Sequence, residues 1–169
     1  MDSNDICDAL SKALYLEAEG HEFYIKCSQS TKNNDAQGMF KYLAREEEIH
    51  FKKVEEIFER EFKKEYEAHM KTCKPPGSIK PSGVFEKNIP GGRIDEKSDA
   101  LDALNIGIRA EDNSIRLYER LAKESFQPDT IKLFEHLAEE ERKHHAILEA
   151  EVEFVTQTGE FHDFKTVTT

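Results

Sequence analysis

Long apolar runs, paired cysteines and glycines are all scarce in this sequence, and each scarcity excludes a class of protein. No apolar run approaches the roughly eighteen residues of a membrane span, and we find no secretory signal peptide. We therefore expect a cytoplasmic protein with no membrane partner. Cys7, Cys27 and Cys73 are widely separated, which excludes both a disulfide framework and a paired Cys-x-x-Cys metal site.

The composition is that of a helical protein with an acidic surface. Only 8 of the 169 residues are glycine, and no segment alternates apolar and polar residues over the length of a useful strand. Charged residues make up 35% of the chain, so we predict an all-α fold, and 169 residues suffice for one domain with a substantial core. The net charge is −11 and no basic stripe is present, which argues against nucleic acid as a partner.

Helix-breaking residues are concentrated in one stretch near the middle of the chain. Residues 73–97 contain four of the five prolines and four of the eight glycines, a density that no helix survives. We predict a single domain, residues 1–169, with helical hairpins at 4–72 and 98–158, a crossover at 73–97 and a tail at 159–169. A connection of about 25 residues can cross the length of a four-helix bundle.

Capping residues indicate where the four predicted helices begin and end. We expect the first helix over about residues 4–29 and the second over about residues 35–71. Ser98 is the expected N-cap of the third helix. Pro128 suits the first turn of the fourth helix, and Gly159 suits its C-terminal cap.

The chain contains one set of metal-ligand residue types twice. Each half has a lone glutamate and, thirty residues later, a Glu-x-x-His, and the second set is displaced from the first by 94 positions. The six residues are Glu17, Glu47, His50, Glu111, Glu141 and His144. Four carboxylates and two imidazoles form a ligand set for two metal ions.

These six residues lie on the apolar faces of their helices, where leucine or valine would be expected. Glu47 and His50, for example, share the helical stripe of Phe40, Leu43 and Val54. A buried, unpaired carboxylate costs roughly several kcal/mol, so such groups are normally paired or bind metal. Surface charge, the simpler interpretation, suits their neighbours Glu46 and Glu48 but not the six, and we predict a metal site.

The ligand types narrow the choice of metal and of chemistry. Oxygen and nitrogen ligands without a thiolate favour iron or manganese over a structural zinc site. Two redox metals that share carboxylates can together deliver two electrons, the number that reduces hydrogen peroxide to water or dioxygen to peroxide. We therefore predict a redox site of two such ions that reduces peroxide or dioxygen.

At these residues the sequence resembles the ferritin-like di-iron carboxylate proteins, and within them the rubrerythrin branch. Both halves contain Leu-Ala-x-Glu-Glu-x-x-His, and in both a tyrosine, Tyr24 or Tyr118, follows the lone glutamate after seven residues. The resemblance implies a four-helix bundle with a non-haem di-iron centre. It further implies that Glu47 and Glu141 bridge the irons, and that the two tyrosines hydrogen-bond ligand carboxylates.

Three departures from related proteins shape the functional prediction. Rubrerythrins carry a further carboxylate three residues after the third-helix ligand, and Ser114 stands there in this chain. Their rubredoxin-like Cys-x-x-Cys pairs are missing from this sequence, so we expect electrons from an external donor protein such as a rubredoxin. The haem-ligating methionine of bacterioferritins is replaced by Glu48, so we expect no haem.

The same ligand set is compatible with two other functions. One is a ferroxidase that handles iron, and the other is a non-catalytic bundle that two metals hold together. His21 lies one turn after Glu17, but its counterpart in the repeat is Ile115, which favours packing over ligation. His145 points about 100° away from the ligand face. A long crossover also invites exchange between protomers, so we expect a homodimer.

Overall fold

The computed structural model describes residues 3–72, 97–125 and 127–163, and most of these residues lie in helices. The helices are α1 (Ser3–Ser30), α2 (Asn34–Glu61), α3 (Lys63–Thr72), α4 (Lys97–Glu124) and α5 (Pro128–Thr158). No strand occurs among the described residues. The predicted all-α, ferritin-like bundle is thereby confirmed. Most of the predicted crossover (residues 73–96) and the end of the predicted tail (residues 164–169) lie outside the described residues.

Local capping explains the short connections within each hairpin. The Asn33 side chain accepts hydrogen bonds of 2.9 Å from the backbone N–H groups of Asp35 and Ala36 at the start of α2, which satisfies two donors that a helix N-terminus leaves free. Pro128 occupies the first turn of α5, and Gly159 ends this helix with φ 77°. Both of these predictions are confirmed.

The second predicted helix is wrong in its extent, since α2 ends at Glu61 and α3 begins at Lys63. Phe62 leaves the helical region, with φ −135° and ψ 51°. The ring of Phe58 packs edge-on against Phe62 at 6.4 Å and against Tyr66 at 5.7 Å. The Tyr66 hydroxyl also donates to Glu55 over 2.9 Å. Aromatic packing of α3 against α2 therefore competes successfully with continuation of one straight helix.

The predicted N-cap at Ser98 is also wrong, because α4 already begins at Lys97. The Lys97 ammonium donates to the carbonyl of Thr156 over 2.6 Å, and this contact ties the start of α4 to the last turn of α5. A cationic side chain near the C-terminal end of a helix is favourable because the carbonyl groups there lack helical partners.

The hydrophobic core consists of two clusters of buried residues, and the repeat is visible in both. In one cluster Tyr24 stacks on Phe40 with ring centroids 6.3 Å apart. In the other, Tyr118 stacks on Phe134 at 6.0 Å. Hairpin α1–α2 packs on hairpin α4–α5 through the pairs α1–α4 and α2–α5. No described helix is at once long enough and apolar enough to cross a membrane.

Candidate metal centre

Both Glu-x-x-His motifs meet at the interface of the two hairpins. Glu47 and His50 of α2 and Glu141 and His144 of α5 each offer a ligand atom, and these four atoms lie within 4.8 Å of one another. All four residues are buried, with exposed fractions of 4% or less. A spacing of three residues places each glutamate and histidine on the same helix face, one turn apart, so that both side chains reach one point.

Glu141 lies between the two histidines. Its Oε1 is 3.2 Å from Nδ1 of His50, and its Oε2 is 3.1 Å from Nδ1 of His144. Glu47 enters from the opposite hairpin, with Oε1 3.5 Å from Nδ1 of His144. Glu141 thus contacts both histidines of the cluster, whereas Glu47 contacts His144.

The two lone glutamates complete the cluster from α1 and α4. Glu17 Oε2 lies 3.6 Å from Nδ1 of His50, and Glu111 Oε2 lies 3.8 Å from Nδ1 of His144. Both glutamates are buried. The structure thus brings all six predicted residues together, with the lone glutamate of each half beside the histidine of the same half.

Several buried polar atoms of this cluster make no hydrogen bond within the described part of the chain. They are Glu17 Oε2, His50 Nε2, Glu141 Oε2, and both Nδ1 and Nε2 of His144. The contact between Glu141 Oε2 and His144 Nδ1 is short, yet it lacks hydrogen-bond geometry. Buried polar atoms are normally satisfied, so atoms that converge without bonding one another fit a bound cation. The oxygen and nitrogen donors fit a pair of divalent ions.

Without metal, protons compensate the charge of the cluster. Burial, followed by the nearby Glu141 carboxylate, raises the pKa of Glu111 to about 8 and raises the pKa of Glu47 well above its usual range. Burial alone would lower the pKa of His50, but its contacts with Glu141 and Glu17 outweigh burial and raise the pKa to about 10. The same balance, with Glu111 and Glu141 as the main partners, raises the pKa of His144.

The surroundings of Glu141 favour its ionised form. Burial alone would raise its pKa, but the contacts with His144 and His50 outweigh burial and hold the pKa well below the usual range. The contacts within the cluster thus favour an ionised Glu141 facing two protonated imidazoles, while burial favours protons on Glu47 and Glu111. Metal binding must displace these protons, because a ligand histidine is neutral and a ligand carboxylate is ionised.

The two tyrosines join the hairpins by reciprocal hydrogen bonds. The Tyr24 hydroxyl of α1 donates to Glu111 Oε1 of α4, and the Tyr118 hydroxyl of α4 donates to Glu17 Oε1 of α1. Burial, and then the neighbouring carboxylates, raise the pKa of both phenols well above the usual value. The resemblance implies that the tyrosines hydrogen-bond ligand carboxylates, and the structure contains such bonds. The acceptor of each tyrosine is the lone glutamate of the other half of the repeat.

The other histidines that the sequence drew attention to lie outside this cluster. The Nδ1–H of His21 donates to the backbone carbonyl of Ala44 over 2.8 Å, in agreement with a packing role. His145 lies 3.4 Å from Asp112 and 3.4 Å from Glu149.

Three more residues beside the cluster are relevant to it. Ser114 is buried one turn after Glu111. Sequence reasoning missed two neighbours: Gly20, which lies against Glu47, and Tyr42, whose ring packs edge-on against His144 at 6.4 Å. Neither residue belongs to a recognisable motif, so the sequence carried no signal for them.

A ferritin-like helical bundle with a buried carboxylate–histidine cluster between its hairpins defines the class of this protein. Within that class the chain belongs to the rubrerythrin family, since the model of the Rubrerythrin family matches residues 8–152. A hypothetical protein from Pyrococcus furiosus has a similar structure, with a TM-score of 0.73 and 21% sequence identity over 95% of this chain and 97% of that chain. This similarity concerns the fold alone. Among curated proteins, none matches the sequence.

Proposed function

We propose that this chain is a non-haem di-iron oxidoreductase that reduces hydrogen peroxide, or dioxygen, with electrons from an external donor. The observation that carries the proposal is the convergence of four carboxylates and two imidazoles in a buried cluster, in which several polar atoms make no hydrogen bond to any described residue. Membership of the rubrerythrin family supports iron as the metal.

Each residue of the cluster has a distinct part in this proposal. Glu17 and His50 would hold one ion, while Glu111 and His144 would hold the other, because each pair lies together on one side of the cluster. Glu47 and Glu141 would be shared. Bound iron would supply two electrons, one from each ion, and the products of peroxide reduction are two water molecules formed with two protons.

The surroundings of the cluster would control protons and water. The tyrosine hydroxyls donate hydrogen bonds to the lone glutamates, and this would keep each carboxylate oriented towards its ion. The two apolar clusters on either side exclude bulk water, which strengthens electrostatic interactions within the layer. Cys7, Cys27 and Cys73 form no paired redox motif, so we assign the electrons to a donor outside these residues.

The first test is the iron content of anaerobically purified protein. We expect about two irons per chain, and their loss in the double variant Glu47→Gln/Glu141→Gln. The matched control is Glu48→Gln/Glu139→Gln, which removes two carboxylates from the exposed faces of the same helices and should retain the iron. Absence of iron from the parent after loading with Fe(II) would refute the proposal.

The second test separates reduction of peroxide from simple iron oxidation. Each molecule of hydrogen peroxide added to Fe(II)-loaded protein should oxidise two Fe(II) ions. A chemical reductant should then sustain repeated reduction of peroxide. A single round of oxidation without turnover would instead assign iron oxidation as the function. If Zn(II) stabilises the protein as much as Fe(II) does, and peroxide does not oxidise the bound Fe(II), the metals have a structural role.

A further inference from the structure

Gly20 occupies an unusual position for a glycine, in the interior of α1 and buried beside the candidate metal centre. A Cβ built on Gly20 would lie 3.2 Å from both Cδ and Oε2 of Glu47, and 3.3 Å from its Cγ. Glycine is less favourable than alanine within a helix. The close approach of the Glu47 carboxylate to the α1 backbone gives a reason for its presence here.

This contact distinguishes the two halves of the repeat. The counterpart of Gly20, displaced by 94 positions, is Ser114, which carries a Cβ. Glu141 is held between both histidines, at 3.2 Å and 3.1 Å. Glu47 instead places Oε1 at 3.5 Å from His144 and rests Oε2 against Gly20. The two carboxylates in the middle of the cluster are therefore positioned by different means.

These contacts place the two carboxylate oxygens of Glu47 on different sides of the cluster. Oε1 lies on the side of His144 and Glu111. Oε2 lies against α1, the helix that also carries Glu17 one turn earlier. An added Cβ at position 20 would displace Oε2 away from α1, and so away from the side where Glu17 and His50 lie together.

We propose that Gly20 is a positioning residue, whose missing side chain lets Glu47 reach the ion on the side of Glu17 and His50. The proposal rests on the metal site assigned under Proposed function. It predicts that Gly20→Ala weakens one of two metal sites and spares the other, because Oε1 retains its place beside His144. A general disturbance of the bundle would affect both sites equally.

The control for this experiment is another glycine of the same chain. Gly38 lies in the interior of α2, and a Cβ there would meet nothing within 4 Å. Gly38→Ala therefore adds helix propensity without crowding, and should raise the melting temperature of the metal-free protein by about 2–4 °C. Its metal binding should equal that of the parent.

Co(II) titration followed by visible absorption measures the two sites separately from any activity. We expect two equivalents in the parent and in Gly38→Ala. In Gly20→Ala we expect one equivalent of parental affinity and one that is weaker by at least about tenfold, or about 1.4 kcal/mol. Two sites of parental affinity, or two sites weakened alike, would overturn the proposal.

A double-mutant cycle in the metal-free protein tests the contact itself. In the Glu47→Ala background the crowded carboxylate is gone, so Gly20→Ala should raise the melting temperature as Gly38→Ala does. If the single variant Gly20→Ala fails to fold, its recovery in that background still supports the contact. If Gly20→Ala fails to fold in both backgrounds, the proposed contact between Gly20 and Glu47 is overturned. A parent that binds no Co(II) would refute the proposed function, while the cycle would still report on the Gly20–Glu47 contact.

Discussion

Removal of metal should make the stability of this protein fall steeply as the pH rises from about 6.5 to 9. Glu111 has a pKa of about 8 in the folded protein, against 4.5 for an ordinary glutamate, and His50 has a pKa of about 10, against 6.5. The folded protein thus binds these protons more tightly than the unfolded chain does. Their contribution to stability is complete below the unfolded pKa and disappears as the pH passes the folded pKa.

The size of the effect follows from the two pKa values. One bound proton is worth about 1.4 kcal/mol per pH unit, so Glu111 should lose about 2 kcal/mol between pH 6.5 and its folded pKa of about 8. On the same basis His50 should lose about 3 kcal/mol by pH 9. Since whole domains are stable by only about 5–15 kcal/mol, a combined loss of up to about 5 kcal/mol is readily measured.

Urea unfolding of chelator-treated protein at pH 6.5, 8 and 9 provides the assay. Glu111→Gln cannot titrate, so it should lose about 2 kcal/mol less than the parent over this range. Glu56→Gln, at an exposed position of α2, should behave as the parent does. Fe(II)-loaded protein, kept anaerobic, should lack the decline because cations replace the protons. A metal-free protein whose stability is constant or increases with pH would refute this account of the cluster.

The remaining predictions concern hydrogen bonds and helix ends. Tyr118→Phe removes the hydroxyl that donates to the buried Glu17 Oε1, and should lower the free energy of unfolding of the metal-free protein by about 1–3 kcal/mol, measured by urea unfolding. No loss would contradict the assigned bond. Asn33→Ala should cost about 1 kcal/mol by the same assay through loss of the α2 cap, whereas Asn33→Asp should preserve it. Gly159→Ala should cost about 1–2 kcal/mol because φ is 77° there, and a melting temperature equal to that of the parent would contradict this.

The six candidate ligands could be found from the sequence because the evidence for them is local and repeated. Helical periodicity alone places Glu47 and His50 on an apolar face, and the second copy of the pattern makes coincidence an inadequate explanation. The start and end of α5 were equally accessible, since Pro128 and Gly159 act through their own backbone preferences. The all-α class followed from the composition and from the lack of any alternating, strand-like segment.

The tertiary structure alone decided what depends on contacts between distant segments. The break at Phe62 arises from aromatic packing that a helical pattern does not record. Reciprocal pairing of Tyr24 with Glu111, and the contact of Gly20 with Glu47, depend on how two helices lie against each other. Residue spacing along one helix determines which face a side chain occupies, but the partner across that face is determined only when the hairpins pack.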